Sequence, residues 1–217
     1  MVVSGQIALP LDWSAGGTND APLIVGASNA DAVRYLRHVS TWPVRTAVLT
    51  GPRGSGRSLM GRLFARETGG RVIDGHNSVS EEEIFHAWNA AQASNTPLLI
   101  IADAPPHEWN IGLPDLASRL RAVPVLTIGE PDDCLARDLI DALFAQRGMA
   151  IAPEIPSYIV PRMERSYAMI HRVVAALDAA SLEKARRVSI RLTRETLLSQ
   201  GLIDPDLLER QDTSTCR

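Results

Sequence analysis

The sequence predicts an α/β protein in which a parallel-sheet core is followed by a small all-helical domain. Two observations support this prediction. Short apolar runs alternate with stretches of helical spacing between residues 23 and 128, as in chains that form parallel sheets. From Asp132 onward the strand patterns fade, and only helical patterns remain.

The individual elements follow from apolar runs, helical spacing and capping residues. Strands are predicted at 45–50, 71–74, 98–102 and 123–128. Helices are predicted at 29–39, 58–68, 80–93, 115–121, 133–147, 154–163, 166–180 and 193–200. We expect an N-terminal peptide and linker, an α/β domain, a helical domain and a C-terminal tail at 1–20, 21–150, 151–203 and 204–217.

Composition narrows the class of protein. The chain has 217 residues, a formal net charge of −3 and 45% hydrophobic residues, which is ordinary for a globular protein. This charge balance argues against non-specific nucleic-acid binding, which needs a concentrated basic face. The longest apolar runs, such as 97–102, are too short to cross a bilayer, and the N-terminus lacks a secretory pattern. Two cysteines, Cys134 and Cys216, give no disulfide framework, so we expect a cytoplasmic protein without a membrane partner.

A glycine-rich segment follows the first buried strand. Residues 51–58, GPRGSGRS, match the phosphate-binding pattern G-x-x-x-x-G-K-[ST], except that Arg57 stands in the place of lysine. Glycines let the backbone curl so that several N–H groups face a phosphate, and the helix that follows adds its positive dipole end. A simple strand-to-helix turn with a solvated Arg57 is the alternative explanation.

We therefore predict that this segment binds ADP or ATP. Its expected contact residues are Gly51, Pro52, Arg53, Gly54, Ser55, Gly56, Arg57, Ser58 and Leu59. The Ser58 hydroxyl is a candidate ligand for Mg²⁺ bridging the phosphates. Because arginine replaces a compact ammonium with a wider planar group, we expect phosphate binding to survive and γ-phosphate transfer to be impaired.

Three separated segments of the chain resemble the DnaA/Hda family of AAA+ ATPases. They are QIALPL at residues 6–11, LIVG at 23–26 together with Asn29, and GLPDLASRL at 112–120. With the helical C-terminal region, the resemblance covers nearly the whole chain. It implies a P-loop AAA+ parallel-sheet core with a small all-helical lid domain.

The resemblance assigns a role to each segment. The first is similar to a clamp-binding peptide, which implies that Gln6, Ile7, Leu9, Pro10 and Leu11 dock on the sliding clamp (beta) of DNA polymerase III. An extended peptide with two leucine anchors and one polar anchor also suits a hydrophobic pocket on a partner. The second segment resembles the family's adenine-side contact, which adds Ile24, Val25 and Asn29 to the nucleotide site.

The third segment matches the family motif that carries an arginine finger. The resemblance implies that Arg119 acts catalytically in trans on a triphosphate held by a neighbouring subunit. The alternative explanation for Arg119 is a surface ion pair, which usually contributes little. Arg121 would face another side of the same helix. In the lid, residues 163–167 resemble the start of the family's second-sensor helix, which makes Arg165 a nucleotide contact. Arg172, seven positions later, is the alternative.

The sequence departs from the family where acidic magnesium ligands are expected. In one assignment, which we prefer, 72–74 is the remnant of the Walker B strand with Asp74 as a magnesium ligand, and 98–102 is the sensor strand. In the other, 98–103 is itself Walker B and Asp103 is its acid. Either way the acidic residues are depleted, so we expect tight ADP binding and little ATP turnover.

Taken together, the resemblance implies a regulator of chromosomal replication initiation that promotes hydrolysis of DnaA-bound ATP. The expected partners are the clamp and DnaA, with a homo-oligomer possible. About 16 residues follow Gly201, too few for a helix-turn-helix, so we expect no specific DNA binding. The alternatives are a degenerate clamp-binding adaptor without nucleotide control and a small active P-loop ATPase.

Overall fold

The computed structural model describes residues 22–203. It divides them into two compact units. One unit is formed by residues 27–129, and the other by residues 22–26 and 130–203. The predicted clamp-binding residues 6–11 and the tail 204–217 lie outside the described part of the chain.

The unit at 27–129 is a four-stranded parallel sheet with helices. Its strands are β1 (Thr46–Thr50), β2 (Arg71–Asp74), β3 (Leu98–Ile101) and β4 (Val125–Thr127). Its helices are α1 (Ala30–Arg37), α2 (Arg57–Thr68), α3 (Glu81–Ser94) and α4 (Pro114–Leu120). The strand order is β2-β3-β1-β4, and every neighbouring pair is parallel. The predicted parallel α/β core is confirmed.

The two central strands form the core of this sheet. Every residue of β1 and β3 is buried, as expected for strands covered on both faces. Thr46 pairs with Leu98 and Leu49 with Ile101, so both strands end at the same edge of the sheet. The edge strand β4 is shorter than the predicted 123–128.

Helix starts follow local sequence signals. In α3, Ser80 Oγ accepts a hydrogen bond from the Glu83 N–H at 3.2 Å, and the Glu83 carboxylate accepts one from the Ser80 N–H at 3.0 Å. This reciprocal capping box satisfies two N–H groups that the helix itself leaves unpaired. In α1 the N-cap position is occupied by Asn29.

The second unit is helical. Its helices are α5 (Asp133–Gln146), α6 (Glu154–Ile159), α7 (Tyr167–Glu183) and α8 (Ile190–Ser199). Helix α8 begins before the predicted residue 193 because the Ser189 side chain caps it, accepting from the Leu192 N–H at 3.3 Å. The α6 helix is shorter than predicted and continues as a short 3₁₀ turn at Val160–Arg162.

The structural division of the chain differs from the predicted boundary at residue 150. The apolar face of α5, including Ile140 and Phe144, belongs to the same buried cluster as Ile159 of α6 and Leu177 of α7. Helix α5 therefore belongs to the helical unit, which begins at Glu130. Periodicity shows that α5 has an apolar face, but not which partner covers that face.

Two further observations concern membrane-spanning helices and disulfide bonding. Among residues 22–203, no helix combines the length and apolar character needed to cross a membrane. Cys134 of α5 is disulfide-bonded. A count of two cysteines does not predict this bond.

We expect Phe144 to be a main contributor to the stability of the helical unit. Phe144 is 0% exposed, so Phe144→Ala should lower the free energy of unfolding by about 3–5 kcal/mol through lost burial and a cavity. The control is Leu182→Ala on α7, because Leu182 is 75% exposed and its loss should change stability by less than about 0.5 kcal/mol. Urea unfolding followed by far-UV circular dichroism measures both values, and equal losses would contradict this assignment of the core.

Candidate nucleotide-binding site and arginine helix

The loop between β1 and α2 has the backbone conformation that its glycines predict. Gly54 has φ 82° and Gly56 has φ 86°, both in the left-handed region that side chains other than glycine rarely adopt. At Gly51 a Cβ atom would lie 2.8 Å from the Cβ of Ile128, too close for any side chain. The glycine spacing is therefore required by the course of the backbone.

The start of α2 offers groups that suit an anion. Gly56 occupies the N-cap position before α2 and supplies no side-chain cap. The N–H groups of the first turn of α2 therefore have no intrahelical partner. Ser55 is only 5% exposed, and its buried Oγ has no hydrogen-bond partner in the structure. A phosphate group would satisfy both kinds of donor and would lie at the positive end of the helix dipole. The loop residues therefore fit the phosphates of a nucleotide.

Arg57, in the position of the expected lysine, is engaged within the protein. Its Nη1 donates to the carbonyl oxygen of Ala102, and its Nη2 donates to Oδ1 of Asp103 at 2.6 Å. The Arg57 side chain is 12% exposed, whereas that of Asp103 is 64% exposed. The expectation of a solvated Arg57 in the alternative explanation is wrong, because the two residues that follow β3 supply acceptors to its guanidinium.

Asp103 is the acidic residue that interacts with the loop arginines at this edge of the sheet. Arg53 Nη2 lies 3.8 Å from Asp103 Oδ2, so two arginines of the loop face one carboxylate. The hydrogen bond and charge of Arg57, with smaller contributions from Arg53 and His76, hold the pKa of Asp103 below its ordinary value. Asp103 is therefore charged throughout the neutral pH range.

His76 lies in the same region, after β2. Its ring stacks on the indole of Trp109, with centroids 4.1 Å apart, and the Trp109 Nε1–H donates to the Ala104 carbonyl oxygen at 2.7 Å. Burial lowers the pKa of His76, and the negative charge of Asp103 opposes this shift. The pKa of His76 therefore lies below its ordinary value.

The candidate magnesium residues come from different elements. Ser58 is exposed in the first turn of α2, and Asp74 is exposed at the end of β2, which β3 separates from β1. Asp103, the acid of the second assignment, is paired with Arg57. Among residues 22–203, no group of three or more acidic, histidine or cysteine side chains is arranged to hold a metal. Magnesium binding at Ser58 and Asp74 stays a prediction.

The other predicted nucleotide contacts lie as follows. Leu59 is half-buried in the first turn of α2, and Pro52 is half-buried in the loop. Asn29 is buried at the start of α1. Ile24 and Val25 are half-buried and belong to the helical unit.

Arg119 lies in α4 and packs against aromatic side chains of α3. Its guanidinium carbon lies 4.3 Å from the ring centroid of Phe85 and 4.5 Å from that of Trp88. Its Nη1 also donates to Oδ1 of Asn89. Among the described residues no carboxylate pairs with Arg119, so aromatic faces and an amide hold it without neutralising its charge.

The segment before α4 is anchored to the start of α3. The two carboxylate oxygens of Glu81 accept hydrogen bonds from the N–H groups of Gly112 and Leu113, at 2.9 and 2.8 Å. Because the acceptor is charged, these bonds are stronger than ordinary backbone bonds. They fix where α4 begins and thereby where Arg119 lies along α3.

The two lid arginines differ in position. Arg165 precedes α7, whose cap is Ser166, and Arg165 Nη2 lies 3.0 Å from Asp133 Oδ1. Arg172 is exposed within α7. Arg165 therefore lies outside the helix that carries Arg172.

Comparison with known proteins supports the architecture on two levels. The family model described as "Hda, lid domain" matches residues 137–197. Domain III of the Thermotoga maritima replication initiation protein DnaA superposes with a TM-score of 0.64 at 14% identity, covering 84% of this chain and 95% of that one. AMPPCP-bound DnaA from Aquifex aeolicus gives 0.59 at 16% identity, with coverages of 85% and 73%. The Thermotoga maritima RuvB Holliday junction branch migration motor gives 0.60 at 13% identity, with coverages of 81% and 70%.

The parallel sheet, the glycine loop after β1 and the helical unit make a fold like that of the DnaA and RuvB structures. Residues 137–197 thus match the lid domain of Hda, and the chain shares its fold with the replication initiation protein DnaA.

Sequence reasoning missed the residues that hold the two key arginines. Asp103 appears in the sequence only as a candidate metal ligand, and its contact with Arg57 spans 46 positions. Helical spacing offers a signal for the other arginine, since Phe85, Trp88 and Asn89 lie on one face of α3. That spacing shows a shared face but not that Arg119 would pack on it.

The pairing of Arg57 with Asp103 can be tested by titration. Arg57→Met removes the largest cause of the lowered pKa of Asp103, so that pKa should rise toward its ordinary value of 3.8. Arg53→Met is the matched control, because Arg53 is 89% exposed and 3.8 Å away, and its removal should raise the pKa much less. Carbon-13 NMR of the Asp103 carboxyl group measures both pKa values. Equal shifts in the two variants would contradict the dominant role of Arg57.

Proposed function

We propose that this chain binds ADP or ATP in the loop at 51–58 and regulates replication initiation by promoting hydrolysis of DnaA-bound ATP. Its clamp-binding peptide would dock it on the sliding clamp, and Arg119 would act on the triphosphate of DnaA. Three sets of residues take separate roles in this proposal, and each has its own support.

The nucleotide-binding proposal rests on the loop geometry. Left-handed Gly54 and Gly56, the uncapped start of α2 and the buried Ser55 hydroxyl together form a cradle of donors for phosphate oxygens. The similar DnaA structure from Aquifex aeolicus is bound to AMPPCP. Bound Mg²⁺ would supply charge neutralisation of the phosphates, with Ser58 as the residue that the loop pattern places to contact it.

The chain's own hydrolysis is proposed to be weak or absent. Arg57 replaces a compact ammonium and is already held by Ala102 and Asp103. Phosphoryl transfer depends on correctly positioned cations and on a group that orients the attacking water. Asp103 is bound to Arg57, and Asp74 is exposed at the end of β2, so neither carboxylate has a contact that would orient an attacking water.

The observation that carries the regulatory proposal is the state of Arg119. Its side chain is half-buried and ordered by Phe85, Trp88 and Asn89, yet within residues 22–203 no carboxylate neutralises it. An arginine that retains its full charge can stabilise the charge that develops on a transferred phosphoryl group in another molecule. The likeness to DnaA and the Hda lid match suggest DnaA as that molecule.

A second function is favoured by a specific observation. Because Asp103 already compensates Arg57, a clamp-binding adaptor without nucleotide control also fits the structure. The two functions differ in whether ADP binds. A small active ATPase lacks comparable support, since the described residues assemble no metal-binding acids.

Nucleotide binding should depend on the left-handed backbone at Gly56. Gly56→Ala strains a residue at φ 86° by about 1–2 kcal/mol, and the loop should relax away from its phosphate-binding shape. We expect ADP affinity, measured by isothermal titration calorimetry, to fall about tenfold or more. Gly69→Ala is the control, because Gly69 has φ 65° at the other end of α2 and imposes similar strain away from the loop. Full ADP affinity in Gly56→Ala would refute this binding mode.

Arg119→Ala should abolish the stimulation of DnaA-bound ATP hydrolysis. An arginine finger contributes about 10³-fold or more to kcat, so the rate should fall to that of DnaA alone. The assay contains the clamp, DnaA and the full chain, and it measures phosphate release. Arg121→Ala is the control on the same segment, because Arg121 is exposed and should be dispensable.

The same assay separates docking from catalysis. A variant with Leu9→Ala and Leu11→Ala should lose clamp binding and thereby the clamp-dependent stimulation, while ADP binding is retained. Stimulation that survives Arg119→Ala would refute the trans-acting arginine, whatever the clamp-binding result.

A further inference from the structure

Asp103, which follows β3, is the negatively charged residue that contacts the arginines of the loop at 51–58. Asp103 Oδ1 accepts from Arg57 Nη2 at 2.6 Å, and Asp103 Oδ2 lies 3.8 Å from Arg53 Nη2. Within the described residues this carboxylate is therefore the shared counter-ion of both loop arginines. Two cations and one anion leave a net charge of +1 where the loop alone would carry +2.

A carboxylate and a phosphate compete for the same groups of an arginine. Both anions accept hydrogen bonds from the planar array of guanidinium N–H groups, in similar geometry. In Arg57 both terminal nitrogens are already used, one by the Ala102 carbonyl and one by Asp103. A phosphate that enters the loop therefore finds its expected cation occupied.

Only one of these two acceptors can leave. The Ala102 carbonyl belongs to the backbone at the end of β3, where the Ala102 N–H donates to the Leu49 carbonyl oxygen of β1 at 3.0 Å. Asp103 holds Arg57 through a side chain that is 64% exposed and free to turn toward solvent. The fold therefore fixes one contact of Arg57 and leaves the other exchangeable.

We propose that Asp103 competes with nucleotide phosphate for Arg57, so that nucleotide enters the loop by displacing this carboxylate and Asp103 sets the nucleotide affinity. The inference rests on the proposed nucleotide binding at 51–58 and adds a residue that weakens it. Asp103 is thus an affinity-determining residue and not a phosphate ligand.

The test is Asp103→Asn, which keeps the size of the side chain and removes its charge. Binding of ADP and of inorganic pyrophosphate to the full chain is measured by isothermal titration calorimetry with EDTA present, so that Mg²⁺ plays no part. We expect both ligands to bind roughly threefold to tenfold more tightly to the variant, as for removal of a partly exposed competing ion pair. An equal gain for pyrophosphate locates the effect at the phosphates.

The control variant is Glu67→Gln. It makes the same change of net charge in the last turn of α2, ten residues and about 15 Å from Arg57 along the helix, and should leave both affinities unchanged. A gain of the same size in this control would assign the effect to net charge and overturn the proposal. Thermal unfolding of both variants checks that they are folded.

The remaining outcomes separate the two proposals. If wild type and Asp103→Asn bind ADP equally, or if the variant binds more weakly, competition by Asp103 is wrong and nucleotide binding stands. If neither protein binds ADP or pyrophosphate, both the competition and the nucleotide site are wrong.

Discussion

The parallel pairing of β1 with β3 is the constraint on which the candidate site depends. Parallel strands end at the same edge of a sheet, and the backbone bond from Ala102 to Leu49 holds these two ends together. The glycine loop leaves β1 there, and Ala102 and Asp103 leave β3 beside it. The identity of the residue that follows β3 therefore decides what the loop arginine meets.

The two arginines that matter most are held by different chemistry. Arg57 is held by a carboxylate and a carbonyl, which compensate its charge locally. Arg119 is held by aromatic rings and an amide, which order the side chain but leave its charge available. The first arrangement suits a residue whose positive charge acts within its own subunit. The second suits a residue whose potential is directed at another molecule, as the proposed function requires.

Local signals predicted much of the fold. The buried run of β1, the capping box at Ser80 and the glycines at 54 and 56 act within a few residues, so the sequence displays them directly. The contact of Arg57 with Asp103 depends on strand order, which local patterns do not specify. The place of α5 depends on which neighbour covers its apolar face, and a helical wheel shows the face without the neighbour.

The candidate site likewise has one part that local sequence predicts and one part that depends on packing between distant residues. The phosphate loop is a contiguous motif, and its backbone geometry follows from its glycines. The residues around Arg119 come from α3, about thirty positions earlier, and only packing brings them to α4. Sequence resemblance indicates the arginine but carries no information on what orders it.

The two hydrogen bonds of Glu81 also limit how α3 and α4 can move relative to each other. With its entrance tied to the first turn of α3 and its arginine seated on the second and third turns, α4 is braced at both ends. These contacts prevent α4, the helix that carries Arg119, from moving independently of α3. A partner that contacts Arg119, as proposed, would therefore meet α3 and α4 as one body, and a mutation at Glu81 would loosen the position of Arg119 without altering the loop at 51–58.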